Sequence, residues 1–293
     1  MNNCPYFSII IPAFNASATI ERTLMSVSSQ IFRDFEVILV DDGSSDNTSH
    51  LTKNFNQVLV KCIQQSNQGV SAARNRGAKI AAGRYVLFLD ADDEVTVTWL
   101  LDYYSLIMEN PDLNIFFCNI LMASDNKTAP KIITPFRLSE RLDFLVNVIP
   151  GSFCLKKDLF DQLGGFDSKL RFAENTELFI RLLQRPMLPL AAYSTSANLK
   201  YYQSLVGGSK NFRNIRYSLD YIIKKHHFFL SQELTIRHQY LQILGVVCMR
   251  LGEYTDPKKY FWQALKLKPF QFGTIIRFLI SQSPFLMRKI YTF

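Results

Sequence analysis

The chain has 293 residues, 48% of them hydrophobic, which is enough to bury a substantial core, and it contains no apolar run of the roughly 20 residues that a membrane-spanning helix needs. The start of the chain lacks a basic and then apolar secretion signal, and the five scattered cysteines argue against a disulfide framework or a zinc site, so we expect a cytoplasmic protein. The net charge of +8 arises at one end, because residues 206–293 hold 14 Lys and Arg against four Asp and Glu.

Four short, nearly continuous apolar runs predict strands in the first third of the chain, at residues 7–11, 35–40, 58–63 and 85–89. Helical spacing of apolar residues or helix formers occurs between them, ending with residues 70–82. This alternation predicts an α/β fold with a mostly parallel central sheet flanked by helices. In such sheets ligands bind beyond the carboxyl ends of the strands, so the residues that follow each strand are the ones to examine.

A further helix is predicted at residues 99–110 and a strand at 115–120, followed by a polar loop region at 122–140. Helical periodicity dominates after Gly207-Gly208-Ser209, which we interpret as a hinge. The predicted organisation is one domain at residues 1–205 and a basic helical C-terminal region at residues 206–293.

The segment Asp90-Ala91-Asp92-Asp93 directly follows the fourth predicted strand. Carboxylates one residue apart can turn towards one divalent ion, and hard ions such as Mg²⁺ or Mn²⁺ take oxygen ligands from protein and phosphate. Acidic clusters also make turns and cap helices. The position after a buried strand favours an ion that bridges to a diphosphate.

Two earlier strands end in polar segments of the same kind. Asp42 follows the second strand, where a carboxylate can accept hydrogen bonds from a ribose or a base, although Asp-Asp-Gly-Ser also suits a turn. Pro12, Phe14 and Asn15 follow the first strand, where Phe14 can lie against a base and Asn15 can hold the loop. Arg74, on the helix after the third strand, is a candidate contact to the diphosphate.

These motifs together resemble the family 2 glycosyltransferases, which have the GT-A nucleotide-diphospho-sugar transferase fold. The resemblance extends over about residues 5–205. It implies that Asp42 contacts the nucleotide base, that Asp90 and Ala91 belong to the donor site and that Asp92 binds the metal. It also implies an inverting transfer from a nucleotide-sugar, for which we expect a UDP-sugar, to a saccharide or lipid-linked acceptor, with Mn²⁺ or Mg²⁺.

The family commonly supplies its general base as the Asp of a Glu-Asp pair at the start of a late helix. Here Asn175 occupies that position, and a neutral amide is not a useful base. Three explanations stay open: Glu174 or Glu177 serves as the base, stabilisation of the leaving group dominates with weak base assistance, or transfer has been lost. Both glutamates also suit the N-terminus of a helix for electrostatic reasons alone.

The basic C-terminal region ends in a stretch, residues 270–293, that mixes large apolar and cationic side chains. This mixture suits the interface of an anionic membrane, and it equally suits an amphipathic helix packed on the core. Nucleic-acid binding does not account for the carboxylates at the strand ends, so we expect no nucleic-acid partner. The remaining alternatives are a donor-binding scaffold without transfer and a metal-dependent nucleotidyltransferase, whose usual phosphate loop is missing after the first strand.

Overall fold

The computed structural model describes residues 4–123, 131–134, 148–185, 191–202 and 211–291. The chain forms two compact units, one of Met1–Ser168 with Asn175–Ser204 and one of Lys169–Glu174 with Leu205–Phe293. The hinge predicted at residues 207–209 lies outside the described residues.

The first unit is built on a nine-stranded sheet, counted over the described residues, with the order β3-β2-β1-β4-β8-β6-β9-β5 and with β7 paired to β6. The strands are β1 Phe7–Ala13, β2 Phe35–Asp41, β3 Val60–Gln64, β4 Tyr85–Phe88, β5 Glu94–Val95, β6 Ile115–Ala123, β7 Lys131–Ile133, β8 Phe153–Lys156 and β9 Ala192–Tyr202.

The strands β3, β2, β1 and β4 are mutually parallel, as predicted from their apolar runs. Every residue of β1 and β4 is buried, which is why these strands are apolar throughout instead of alternating. Strand β1 pairs with β4 only as far as Ile10, so Pro12 lies beyond that ladder, where a missing N–H is tolerated.

The other half of the sheet is mixed. Strand β8 is antiparallel to both β4 and β6, β5 is antiparallel to β9, and β6 runs parallel to β9 through a shift of register. Strand β7 lies within the region predicted to be a polar loop, so that part of the prediction was wrong at residues 131–133. The sheet is therefore parallel where the four predicted strands meet and again between β6 and β9.

Six helices among the described residues accompany this sheet. They are α1 Ile20–Ser28, α2 Thr48–Lys53, α3 Val70–Ile80, α4 Trp99–Glu109, α5 Lys157–Gln162 and α6 Glu174–Leu183. Helix α1 buries Ile20, Leu24 and Val27, the residues whose spacing predicts it.

The connection between β4 and β5 shows that the sheet is curled. Only five residues, Leu89–Asp93, join these strands, although β8, β6 and β9 lie between them in the sheet order. Neighbouring strands lie about 4.8 Å apart, so a flat sheet would require a nearly extended chain at about 3.4 Å per residue. The Asp93 amide instead donates to the Asp90 carbonyl in a turn, so the strands must curve towards each other.

The second unit is helical in its described part. Its helices are α7 Phe212–Lys225, α8 His227–Gln232, α9 Leu234–Arg250, α10 Asp256–Leu267, α11 Phe272–Ser281 and α12 Pro284–Tyr291. Gly245 lets α9 approach the buried ring of Phe261 on α10, since a Cβ at Gly245 would lie 2.5 Å from a ring carbon. Within the described ranges, none of the helices combines the length and the apolar character needed to cross a bilayer.

Candidate active site

The loops after β1 and β2 are joined to each other at the carboxyl edge of the sheet. The Asn15 side-chain oxygen accepts a hydrogen bond from the Ser45 backbone amide at 2.9 Å, and the Asn15 backbone amide donates to the Ser44 hydroxyl at 3.0 Å. Asn15 has a φ of 49°, a left-handed conformation that asparagine adopts more readily than most residues. The predicted loop-holding role of Asn15 is thus present in the structure.

Phe14 and Pro12 differ in their access to solvent. Pro12 is buried in the sheet, whereas the ring of Phe14 is 51% exposed beside the joined loops. An exposed aromatic face on a loop held by hydrogen bonds is suited to stacking against a flat ring. Of these two residues, Phe14 is the one whose side chain is open to solvent.

The Asp42 carboxylate organises a third loop. It is only 3% exposed, and its oxygens accept hydrogen bonds from the amides of Gln68 and Gly69 at 2.8 and 2.7 Å and from the Gln65 side chain at 2.7 Å. Gly69 has a φ of 92° and begins helix α3. Asp42 therefore fixes the start of α3, a role that its position after β2 does not reveal.

Helix α3 carries Arg74 to the acidic segment after β4. The Arg74 guanidinium donates to Asp90 Oδ1 at 2.6 Å, and the arginine is 2% exposed. The contact of Arg74 with a diphosphate stays a prediction, and in the structure its guanidinium is paired with Asp90. Because Arg74 is buried whereas Asp90 is 29% exposed, the contact fixes the Asp90 side chain, and Arg74 is a positioning residue for Asp90.

The second half of the acidic segment is fastened from two sides. Arg22 on α1 donates to the Asp92 carbonyl at 2.7 Å and forms an ion pair with Glu94 at 3.0 Å. The Tyr202 amide donates to Asp93 Oδ1 at 2.9 Å, and the Tyr202 ring lies 3.9 Å below the Arg22 guanidinium. The loop is therefore held in place by both a helix and the last strand of the sheet.

The electrostatics of this loop are those of crowded carboxylates. Burial raises the pKa of Asp92, and the neighbouring Asp90 raises it further. Burial and then Asp90 raise the pKa of Asp93 well above its usual range, and Asp93 is fully buried. The folded loop therefore disfavours the charged forms of Asp92 and Asp93.

Asp90 and Asp92 both carry the hard oxygen ligands that divalent cations prefer. The charge of Asp90 contributes to the raised pKa of Asp92, an effect that a bound cation would oppose. Mg²⁺ is typically held by one or two carboxylates together with substrate phosphates. Ala91 is 8% exposed between them and offers only its backbone.

The two glutamates predicted as bases both lie on helix α6 but differ in burial. Glu174 is the first residue of the helix and is half-buried, after Ala173 with a φ of 60°, a strained value for alanine. Glu177 is 0% exposed, and both of its oxygens accept from Arg181, at 2.8 to 3.1 Å. The assignment of Glu177 as a base is corrected, because a buried carboxylate held in this way cannot reach an acceptor hydroxyl.

Arg181 also fixes the turn that precedes α6. It donates to the carbonyls of Leu163 and Gly165, while Asn75 on α3 bonds both the amide and the carbonyl of Phe166 at 2.8 Å. A Cβ at Gly165 would lie 2.6 Å from Asn75 Oδ1, so glycine is required there. Sequence reasoning missed Asn75 and Arg22, because a polar residue on a helix carries no signal of its tertiary partner.

Comparisons with known proteins agree with this geometry. The profile described as glycosyl transferase family 2 matches residues 8–164. A glycosyltransferase of Haemophilus influenzae is 28% identical over 234 residues, 77% of this chain and 78% of the relative. The glycosyltransferase YibD of Escherichia coli is 38% identical over 121 residues, 41% of this chain but only 35% of that longer protein.

Two solved structures share the architecture. Staphylococcus aureus TarS 1-349 in complex with UDP-GlcNAc superposes with a TM-score of 0.64 at 18% identity, covering 94% of this chain and 90% of the other. The mannosyltransferase PcManGT of Pyrobaculum calidifontis in complex with GDP-Man and Mn²⁺ gives a TM-score of 0.57 at 13% identity, covering 98% and 87%. At these identities the likeness concerns the fold alone.

Proposed function

This chain belongs to glycosyl transferase family 2, and we propose that it transfers a sugar, with inversion, from a nucleotide-sugar donor to a saccharide or lipid-linked acceptor in glycan or polysaccharide biosynthesis. The observation that carries the proposal is the acidic loop, in which Asp90 is fixed by Arg74 and Asp92 lies beside it with a raised pKa. Family membership sets aside the nucleotidyltransferase alternative.

For the donor we propose a UDP-sugar bound between Phe14 and the acidic loop. Phe14 supplies an exposed ring for the base. The buried Asp42 carboxylate holds the loop that begins α3 by accepting a hydrogen bond from the Gly69 amide. The complexes of TarS with UDP-GlcNAc and of PcManGT with GDP-Man support a nucleotide-sugar as the class of donor.

Asp90 and Asp92 would hold Mn²⁺ or Mg²⁺, and the PcManGT complex with Mn²⁺ supports a divalent ion. When bound, such an ion neutralises the charge that develops on a departing diphosphate. The chain's own contribution is to hold the Asp90 carboxylate through Arg74 and the backbone of Asp92 through Arg22 before the donor arrives. This arrangement reduces reorganisation during the reaction.

We assign the general base to Glu174. Glu177 is fully buried, whereas Glu174 is half-buried at the first turn of α6, where the backbone amides favour a carboxylate. Its role would be to take the proton of the acceptor hydroxyl as that oxygen attacks the anomeric carbon. A scaffold that binds donor without transfer stays the second candidate, because Asn175 replaces the usual aspartate.

A screen of nucleotide-sugars tests the proposed function. We expect one UDP-sugar to be hydrolysed slowly in the presence of Mn²⁺ or Mg²⁺ and not in the presence of EDTA, because water can replace the acceptor in such sites. Release of the nucleoside diphosphate is measured by chromatography. Donor binding in calorimetry without hydrolysis or transfer to any acceptor would favour the scaffold, and absence of donor binding would contradict both.

We also propose that α11 and α12 contact an anionic membrane, where lipid-linked acceptors reside. Phe272 and Leu279 are 75% and 60% exposed on one face of α11, and Phe285 is 71% exposed on α12, close to the exposed cation Lys289. An ordinary amphipathic helix packs its apolar side chains on the protein core, whereas these apolar side chains are exposed.

The membrane proposal predicts a loss of liposome binding. The double substitution Phe272→Ser and Leu279→Ser should weaken cosedimentation with vesicles rich in phosphatidylserine by about 30-fold, since partial burial of each side chain contributes about 1 kcal/mol. The matched control is Leu59→Ser, which removes another exposed apolar side chain, in the first unit. Equal binding of both variants, or of vesicles without anionic lipid, would contradict the proposal.

A further inference from the structure

The second unit contains a groove of about 500 Å³ that the proposed transfer chemistry does not use. Four of its lining residues lie along one face of α7, and Leu251 and Glu253 come from the turn after α9. The α7 residues are Arg213, Tyr217, Tyr221 and Lys224, spaced three or four apart, so the stripe runs for about 16 Å at 1.5 Å per residue. This length suits an extended chain better than a compact ligand.

Two aromatic rings form the middle of the stripe. Tyr217 and Tyr221 are parallel to within 12°, with their ring centroids 6.3 Å apart, and Tyr217 is 54% exposed. The face of an aromatic ring carries partial negative charge that attracts the polarised C–H groups of a sugar ring. The two parallel rings therefore form an aromatic platform in the middle of the stripe, and the exposed Tyr217 ring can stack on a pyranose ring.

The ends of the stripe are cationic. Arg213 and Lys224 are exposed, and neither forms an ion pair with any residue that the structure describes. The ammonium groups of Lys169 and Lys225 each lie 5.8 Å from the centroid of the Tyr221 ring. Anionic groups on a ligand would therefore meet positive charge on both sides of the tyrosine pair.

The acidic residues of the groove share a single cationic partner. Arg216 forms ion pairs with Asp220, Glu253 and Asp256, and together with Arg213, Lys224 and the two lysines beside Tyr221 it makes five cations against these three carboxylates. The same pairing accounts for the cluster of Glu253 and Asp256 with Cys248 without a metal ion. Carboxylate oxygens remain able to accept hydrogen bonds from hydroxyl groups, which saccharides carry in much greater number than nucleic acids.

We propose that this groove binds an anionic saccharide, a chain of sugars that bears carboxylate or phosphate groups. The tyrosine platform would stack on a sugar ring, Arg213 and Lys224 would meet the anionic groups, and the acidic floor would accept hydrogen bonds from hydroxyls. The further statement that this saccharide is the acceptor rests on the proposed function.

Titration calorimetry of the full chain, without donor or metal, tests the binding. The probes are a hexagalacturonate and a heparin hexasaccharide as anionic saccharides, maltohexaose as a neutral one, tripolyphosphate as an anion without sugar and a twelve-residue oligothymidylate. We expect at least one anionic saccharide to bind about tenfold or more tightly than maltohexaose, tripolyphosphate or oligothymidylate, with weaker binding at higher salt.

Two variants and two matched controls locate the site. Tyr217→Ala, and Arg213→Gln together with Lys224→Gln, should each raise the Kd about tenfold. Phe228→Ala and Lys259→Gln remove an exposed ring and an exposed cation elsewhere in the second unit and should leave the Kd unchanged. Equal effects of variants and controls, absence of binding by both anionic saccharides, or tighter binding of tripolyphosphate or the oligonucleotide would overturn the proposal.

The same variants separate the groove from the transferase site. Donor binding, followed as the rise in melting temperature with UDP and Mn²⁺, should be the same in Tyr217→Ala and in the unmodified chain. If transfer occurs, the KM for an anionic acceptor should rise in Tyr217→Ala with little change in kcat or in the KM for the donor. Saccharide binding without any donor binding would leave the groove assigned and remove the proposed function.

Discussion

Asp92→Ala is expected to abolish both the stabilisation of the protein by UDP with Mn²⁺ and the transfer reaction. At a ligand concentration about 100 times the Kd, binding stabilises a folded protein by about 2.7 kcal/mol, which corresponds to a rise of about 5 °C in melting temperature for a chain of this size. That rise should vanish in the variant, because Asp90 alone would hold the ion weakly. Loss of the charge stabilisation that the ion supplies should lower kcat/KM by about 10³-fold or more.

The control for this experiment is Asp112→Ala, which removes an exposed carboxylate from the loop before β6. It should leave the thermal shift and the turnover unchanged. The unliganded Asp92→Ala protein should not melt below the parent, since the Asp92 charge is crowded by Asp90 in the folded state. A full thermal shift in Asp92→Ala would remove this residue from the metal site.

Glu174→Gln is expected to lower kcat by about 10²-fold to 10⁴-fold, the usual contribution of a positioned general base, with little change in the KM for the donor. Glutamine keeps the shape of the side chain and its hydrogen-bond acceptor but cannot take a proton at neutral pH. The measurement is initial-rate kinetics with the donor identified by the screen, together with the melting temperature of each variant.

Glu177→Gln is the contrasting substitution on the same helix. Its carboxylate is buried and bonded by Arg181, so breaking the pair should lower the free energy of unfolding by about 3 kcal/mol. Any loss of activity should then follow the loss of folded protein, without a specific fall in kcat. Undiminished kcat in Glu174→Gln, with folded protein, would falsify the assignment of Glu174.

Asn175→Asp adds a second measurement of the same question. The Asn175 Oδ1 atom is buried without a hydrogen-bond partner among the described residues, so the pKa of a carboxylate there should lie above its ordinary value, as suits a base at neutral pH. We expect the substitution to restore transfer to Glu174→Gln. Restoration would show that the position of Asn175 is within reach of the acceptor hydroxyl.

The location of the site could be predicted from the sequence because the apolar runs of β1, β2 and β4 end so abruptly. Each run stops at a polar segment, and parallel strands bring such segments to one edge. The GT-A fold and the family expected from those motifs are confirmed. In the second half of the sheet the strand at residues 115–120 was predicted and is part of β6. The other strands there were not foreseen, because β5, β7 and β8 have only two to four residues and the register between β6 and β9 is irregular.

The individual roles of the predicted residues could not be derived from the sequence either. Asp42 and Arg74 have the residue types of ligand contacts, yet the structure uses the first to hold the loop that begins α3 and the second to hold Asp90. Which face of a helix is buried follows from packing, and a single arginine does not disclose its partner. The contrast between the exposed Phe14 and the buried Pro12 also follows from packing.

The connection from β4 to β5 is only five residues long and cannot easily change in length. Because Leu89–Asp93 must pass over three strands while forming a turn, adding or removing one residue there would shift β5 against β9 or pull Asp90 from Arg74. The spacing of the two aspartates is thus set by the width of the curled sheet as much as by the chemistry of an ion. Sequence drift in this family should accordingly tolerate exchanges of side chains in this segment far better than insertions or deletions.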